Sequence, residues 1–397
     1  MDKVIVFLNN NSSKKLLAFG VEEFVEIKSG DGLDKCTDFI ERNNDTYRFG
    51  FMSYEIKNEI EKLTSANQDR IKFPLLYFFK PKTVVEVDLK GTFTYLQGRS
   101  SIENDKFILD FLAEEGFLAK NEIQLHSVLS KQDYIDQVNK LKEHIQLGDI
   151  YEVTYCQEFY NKSALINPVS TYFRLNEKTN APFSCYFKLN NKHLISGSPE
   201  RFLKKEGNKL TSQPIKGTAR RSKDPQHDEE IKKELSKNPK ENSENIMIVD
   251  LVRNDLSKIA EKNSVIVEEL CGVYTFKTVH QLISTISATI SPAVKFDEIM
   301  RALFPMGSMT GAPKVRAMKL IEEYETFKRG LFSGTVGYLK PNGDFDFNVV
   351  IRSILYNETS KQLSCPVGGA ITIQSDPEME YEECLLKMEA MKTVLNE

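Results

Sequence analysis

No excess of basic charge marks this chain. Its 397 residues carry 53 Lys and Arg against 57 Asp and Glu, a formal net charge of -4. Nothing is left over to track a phosphate backbone, so nucleic acid is excluded as an expected partner. The six cysteines (Cys36, Cys156, Cys185, Cys271, Cys365, Cys384) contain no C-x-x-C pair. Their scatter argues against a zinc site and an oxidising compartment, and they read as plain buried thiols. The N-terminus lacks a long apolar run: Val4–Leu8 suits a strand and is too short for a signal segment or a membrane span. A cytoplasmic location without membrane attachment is expected. Repeats and low-complexity linkers are absent. What remains is an ordinary globular composition, 40% hydrophobic and 28% charged, with enough apolar material for an extensive core.

A phosphate loop is missing too. The stretch Gly307-Ser308-Met309-Thr310-Gly311-Ala312-Pro313-Lys314 has three residues between its glycines where the Walker pattern needs four, and Val315 follows the lysine. It predicts a glycine-permitted turn before a helix beginning near Pro313.

Strands are predicted at Val4–Leu8, Lys15–Phe19 and Leu75–Phe79, and as a pair at Val84–Asp88 and Phe93–Gln97 with Gly91 in the turn. A helical pattern over Asn104–Glu115 and a charged stretch to Glu122 mark a seam between residues 1–125 and 126–397. Tyr134, Val138, Leu141 and Ile145 then form one stripe of a helix over Lys131–Leu147, closed by Gly148. Further helices are expected at Val169–Asn176, Asp228–Leu235, Ser243–Leu251, Phe296–Leu303 and Asp376–Val394. Strands are expected at Ile150–Tyr155, Phe183–Leu189, Leu194–Ser196, Phe332–Leu339, Asp346–Leu355 and Leu363–Ile373. Without regular β-α alternation this is an α+β pattern.

Few residues advertise chemistry unaided. Glu244 lies beside the apolar stripe of its helix. Glu383 and Lys387 are four apart on the last helix and share a face, as a simple surface ion pair would. Two helix-borne carboxylates converging on one cation would suit Mg²⁺. Lys216, between Pro214-Ile215 and Gly217-Thr218, reads either as a turn-tip lysine or as a desolvated nucleophile that loses its proton readily. His280, among apolar neighbours, reads as a core histidine or a catalyst.

Taken together, ordered blocks of this sequence resemble the chorismate-utilising family. They are Ile195-Ser196-Gly197-Ser198-Pro199-Glu200-Arg201-Phe202, Pro214-Ile215-Lys216-Gly217-Thr218, Ile248-Val249-Asp250-Leu251-Val252-Arg253-Asn254-Asp255-Leu256 and Gly311-Ala312-Pro313-Lys314. Phe332-Ser333-Gly334, Ile351-Arg352, Gly368-Gly369-Ala370, Ser375-Asp376-Pro377-Glu378 and Glu380-Tyr381-Glu382-Glu383 follow. They cover about residues 126–397, and Tyr54 with Leu75–Phe79 is similar to the N-terminal half of such enzymes. The resemblance implies two stacked antiparallel sheets flanked by helices, with residues 1–125 packing on the same body. It also implies Mg²⁺ held by Glu244 and Glu383, and Glu200 as the general acid at the C4 oxygen. Arg352 and Lys387 would bind the enolpyruvyl carboxylate, Gly368 and Gly369 would offer backbone amides, His280 would lie near the reacting ring, and Thr335 would line the pocket.

Within the family, Gly148-Asp149-Ile150-Tyr151-Glu152 lacks the lysine base of isochorismate and salicylate synthases. Lys216 stands where anthranilate synthases carry a small residue. The Pro-Ile-Lys-Gly-Thr form resembles members that make 4-amino-4-deoxychorismate on the route to 4-aminobenzoate and folate. There this lysine is implied to attack C2 as the C4 hydroxyl leaves, and ammonia then adds at C4. No glutaminase segment fits within 397 residues, so a glutaminase partner is implied. Two positions depart from the pattern: Glu152 replaces the usual glutamine, and Asn245 the usual histidine. The competing expectations are an anthranilate-forming enzyme and a catalytically silent scaffold for a glutaminase.

Overall fold

Runs rich in β-branched and aromatic residues, such as Val4–Asn9 and Leu76–Val87, form strands, and the strands pair antiparallel throughout. The computed structural model describes residues 3–9, 14–114, 123–277 and 279–397. One continuous ladder links its strands. At one end, Ile215–Arg220 and Ile266–Thr275 flank Val279–Thr289. The ladder passes through Lys209–Gln213, Arg201–Glu206, Phe345–Asn348, Thr335–Leu339 and Arg48–Met52 to Leu76–Val87. It continues through Lys15–Ile27, Val4–Asn9, Cys185–Leu189 and Lys192–Ser196. Ser353–Asn357 and Gln362–Ile371 follow, and Glu152–Asn161 stands at the far end. The α+β class with antiparallel sheets is thus as expected, and the two sheets are joined into one network.

Alternation along the strands sorts side chains into two cores. Val4, Val6 and Leu8 enter one with Phe51, Phe187 and Phe347. Ile5 and Phe7 enter the other, beneath the helices Lys131–Gln146, Pro168–Thr179 and Pro377–Asn396. Strands from the first 125 residues pair directly with later ones: Val4–Leu8 with Cys185–Leu189, and Arg48–Met52 with Thr335–Leu339. The expected seam falls largely on residues 115–122, outside the described residues.

Most elements lie where the sequence places them. Ser130 caps Lys131–Gln146 with a full capping box, and Asp376 caps Pro377–Asn396 with Pro377 in the first turn. Strand Asp346–Leu355 is the exception. It breaks at residues 349–352, and Arg352 adopts φ 50°. The six cysteines are free thiols, five of them buried. Among the described residues no helix is long and apolar enough to cross a membrane.

Candidate active site

The break at residues 349–352 has a counterpart at 197–200, where the chain leaves strand Lys192–Ser196 and enters Arg201–Glu206. The two breaks lie side by side, with Val349 N donating to Glu200 O and Gly197 N to Arg352 O. In each, the chain changes its strand partners, as at the corners of stacked sheets. These corners bring Glu200 and Arg352 to a cleft where the two ends of the ladder converge. The inner chamber, about 110 Å³, opens into an outer cavity of about 500 Å³. Pro199, Thr218, Gln281, Arg352, Glu383 and Lys387 line both.

Glu200 is 3% exposed, and its Oε1 accepts a 2.6 Å hydrogen bond from Ser308 Oγ. Burial pushes its carboxyl up to about 7, against the opposing pull of Ser308 and Lys216. A carboxyl half-protonated at neutral pH suits a general acid.

Lys216 comes from the opposite side. A bulge at Gly217, with φ 82°, shifts the register of strand Ile215–Arg220, so that Lys216, Gly217 and Thr218 all line the chamber. Its Nζ donates to Glu152 Oε1 at 2.6 Å, across 64 residues of sequence. Here the structure corrects the sequence reading. Burial alone would favour the neutral amine, but Glu152, Glu244 and Glu200 outweigh it and raise the pKa above the ordinary lysine value. The resting group is an ammonium in a buried ion pair.

Two helices supply carboxylates. Glu241 and Glu244 lie on Pro239–Ser257, and Glu380 and Glu383 on Pro377–Asn396, each pair three residues apart and facing the chamber. Lys240 sits among them, 2.9 Å from Glu380 and 3.8 Å from Glu244. Glu244 is 6% exposed, and its Oε1 has no hydrogen-bond partner. Burial pushes its carboxyl up to about 8, with Lys216 and Lys240 opposing. Such an orphaned buried oxygen facing other carboxylates is a donor set for a hard cation. Among the described residues, no three His, Cys, Asp or Glu side chains form a closed metal cage. Any such ion would need ligands from substrate or water.

At the mouth, Lys387 pairs with Glu383 at 2.7 Å and donates to Gly368 O at 2.8 Å. The expected i,i+4 pair is present, lining the cleft. A side chain at Gly368 would collide with Tyr155 O at 2.3 Å. A side chain at Gly369 would crowd Glu380 Oε2 at 3.1 Å.

Two expected residues are not brought here. His280 and Gln281 are neighbours on one strand and face opposite ways. Gln281 lines the cleft, while the buried His280 ring meets Asp228 at 3.0 Å and Thr275 at 2.9 Å. Thr335 lies in the core with its hydroxyl donating to Asn348 O, and Phe332 lines the chamber instead. Asn245 is also outside the chamber lining, hydrogen-bonded to Ser284. Sequence reasoning passed over Ser308, Lys240, Glu241 and Glu380. The repeated E-x-x-E spacing of 241/244 and 380/383 was the available signal for the two acids.

Comparison with known proteins identifies the family. The sequence profile described as chorismate binding enzyme matches residues 5–393. A probable aminodeoxychorismate synthase, chloroplastic, from Oryza sativa subsp. japonica is 35% identical over 89% of this chain and 38% of its own length. Aminodeoxychorismate synthase component 1 of Escherichia coli (strain K12) is 32% identical over 85% of this chain and 74% of its own. Component 1 of Bacillus subtilis (strain 168) is 30% identical over 87% and 76%. This chain thus spans well under half of the plant protein and about three-quarters of the bacterial ones. Anthranilate synthase component I from Streptococcus pneumoniae TIGR4 superposes with a TM-score of 0.81 at 23% identity, covering 96% of this chain and 92% of that one. At that identity the likeness shows the fold alone. By the profile match and these relatives, the chain belongs to the chorismate binding enzyme family.

Proposed function

We propose that the chain aminates chorismate at C4, giving 4-amino-4-deoxychorismate. The observation that carries the reading is one chamber holding a buried acid, Glu200, and a buried amine, Lys216, beside Arg352 and Lys387. The printed names of the Escherichia coli and Bacillus subtilis relatives support it.

Chorismate is a small dianion. The Arg352 guanidinium and Lys387 ammonium would bind its enolpyruvyl carboxylate, the guanidinium at two points. The backbone at Gly368 and Gly369 would approach that substrate. Lys216 Nζ would bond to C2 while Glu200 protonates the departing C4 oxygen. Ammonia would then bond to C4 and release the lysine. Glu244 and Glu383 would hold a Mg²⁺ that, when bound, neutralises the ring carboxylate. "Component 1" in the names of relatives supports a second subunit, which we take to be a glutaminase delivering ammonia.

Chromatography of the product made from chorismate, ammonium and Mg²⁺ tests the reading. The expected product is 4-amino-4-deoxychorismate; fluorescent anthranilate would overturn it.

A further inference from the structure

An ammonium has no lone pair with which to bond to carbon, so Lys216 must lose a proton before it attacks. Four carboxyl groups face it: Glu152 from strand Glu152–Asn161, Glu200 from the corner, and Glu244 and Glu383 from the two helices. The cations nearby are Lys240 beside Glu244, Lys387 beside Glu383, and Arg352 toward Glu200. Glu152 is the one hydrogen-bonded to the ammonium, at 2.6 Å. It is fully buried, at 0% exposure, and its Oε2 has no hydrogen-bond partner. Under the proposed function the other three have tasks that conflict with accepting this proton: Glu200 would donate one, and Glu244 and Glu383 would hold the cation.

We propose that Glu152 is the base that takes the proton from Lys216 and returns it at the end of each turnover. The proposal rests on Lys216 being the nucleophile. In the first step the proton moves from Nζ to Glu152. The freed lone pair bonds to C2, the C1–C2 double bond shifts to C1–C6, the C5–C6 double bond shifts to C4–C5, and the C4–O bond breaks. Glu200 protonates the departing oxygen, which leaves as water. In the second step ammonia bonds to C4, both double bonds shift back to C5–C6 and C1–C2, and C2–N breaks, releasing neutral Lys216. The new C4 ammonium reprotonates Glu200, Glu152 returns its proton to Lys216, and the resting ion pair is restored.

The shape of the pH–rate profile distinguishes this from a structural ion pair. When Glu152 takes the proton, the parent's reactive form differs from its resting form only by a shift inside the pair. Its rate should be level below about pH 7 and fall above it as Glu200 loses its proton. Glu152→Gln keeps the shape but makes solvent the proton acceptor. Its rate should climb about tenfold per pH unit below pH 7, level off above, and lie roughly 10²-fold below the parent near pH 6. Chorismate binding should stay within about threefold. The measurement is single-turnover formation of the C4-aminated product by the full chain at fixed free ammonia and saturating Mg²⁺, with Lys216→Ala alongside. A Glu152→Gln profile parallel to the parent's, at equal or lower rate, overturns the proposal. So does a parent rate that itself climbs tenfold per pH unit below pH 7, a test needing no variant. If Lys216→Ala is inactive and either result is seen, only the role of Glu152 falls. If Lys216→Ala keeps the parental rate, the nucleophile reading falls as well.

Discussion

Glu200 carries opposite consequences for function and for stability. Its carboxyl sits near 7 when folded, against about 4.3 in an unfolded chain. Between those values the folded state binds the proton that the unfolded state has lost. Burial of Glu200 therefore costs nothing at low pH, costs progressively more from about pH 4.3 to 7, and reaches roughly 4 kcal/mol above that. Glu200→Gln removes this titration while keeping an acceptor for Ser308 Oγ. The variant should melt at a higher temperature than the parent at pH 8, with the difference vanishing toward pH 4.5. Its amination rate should fall about 10²–10⁴-fold. A variant that melts below the parent at pH 8 would contradict the burial argument, and parental turnover would contradict the acid role. That Glu200 and Lys216 share one chamber is in keeping with the motifs that singled them out, but the charge state of Lys216 was not legible there. That state is set by Glu152, Glu244 and Glu200 together, and the nearest of them, Glu152, lies 64 residues away in sequence.

Helices Pro239–Ser257 and Pro377–Asn396 each present an E-x-x-E pair to the chamber, and Glu244 Oε1 has no hydrogen-bond partner. Glu244→Gln and Glu383→Gln should each abolish Mg²⁺-dependent turnover while leaving the circular dichroism spectrum and the melting transition intact. Full activity with an unchanged Mg²⁺ requirement in either variant would remove that residue from the metal site. Helix periodicity put Glu383 and Lys387 on one face, and their ion pair follows from it. The placement of His280 was not legible: the sequence marks no strand at Val279–Thr289, and only the strand's alternation turns Gln281 to the cleft and His280 away from it. The break at residues 349–352 was illegible for a different reason. An apolar run such as Val349-Val350-Ile351 reads as continuous strand, and only the change of partners at the corner requires Arg352 to adopt φ 50°.

At the scale of the whole molecule, the chamber exists because a single ladder bends until its two ends meet. Residues 1–125 are built into that ladder: Val4–Asn9 and Arg48–Met52 both pair with strands from beyond residue 180. A fragment of residues 126–397 would expose those edges and the core faces of Phe187 and Phe347. Expressed alone, it should show no cooperative thermal transition; a sharp transition near the parent's would mean that the strands of residues 1–125 are dispensable. The ladder brings Lys216 and Glu200 to one chamber, and the proposed function requires the lysine to form a bond to carbon there. Single-turnover amination by Lys216→Ala with ammonia in excess, paired with a chorismate binding titration, tests it most directly. The expected result is a loss of at least about 10²-fold confined to the chemical step, with binding nearly unchanged, as for an interaction made chiefly in the transition state. Product formed by Lys216→Ala at the parental rate would contradict it.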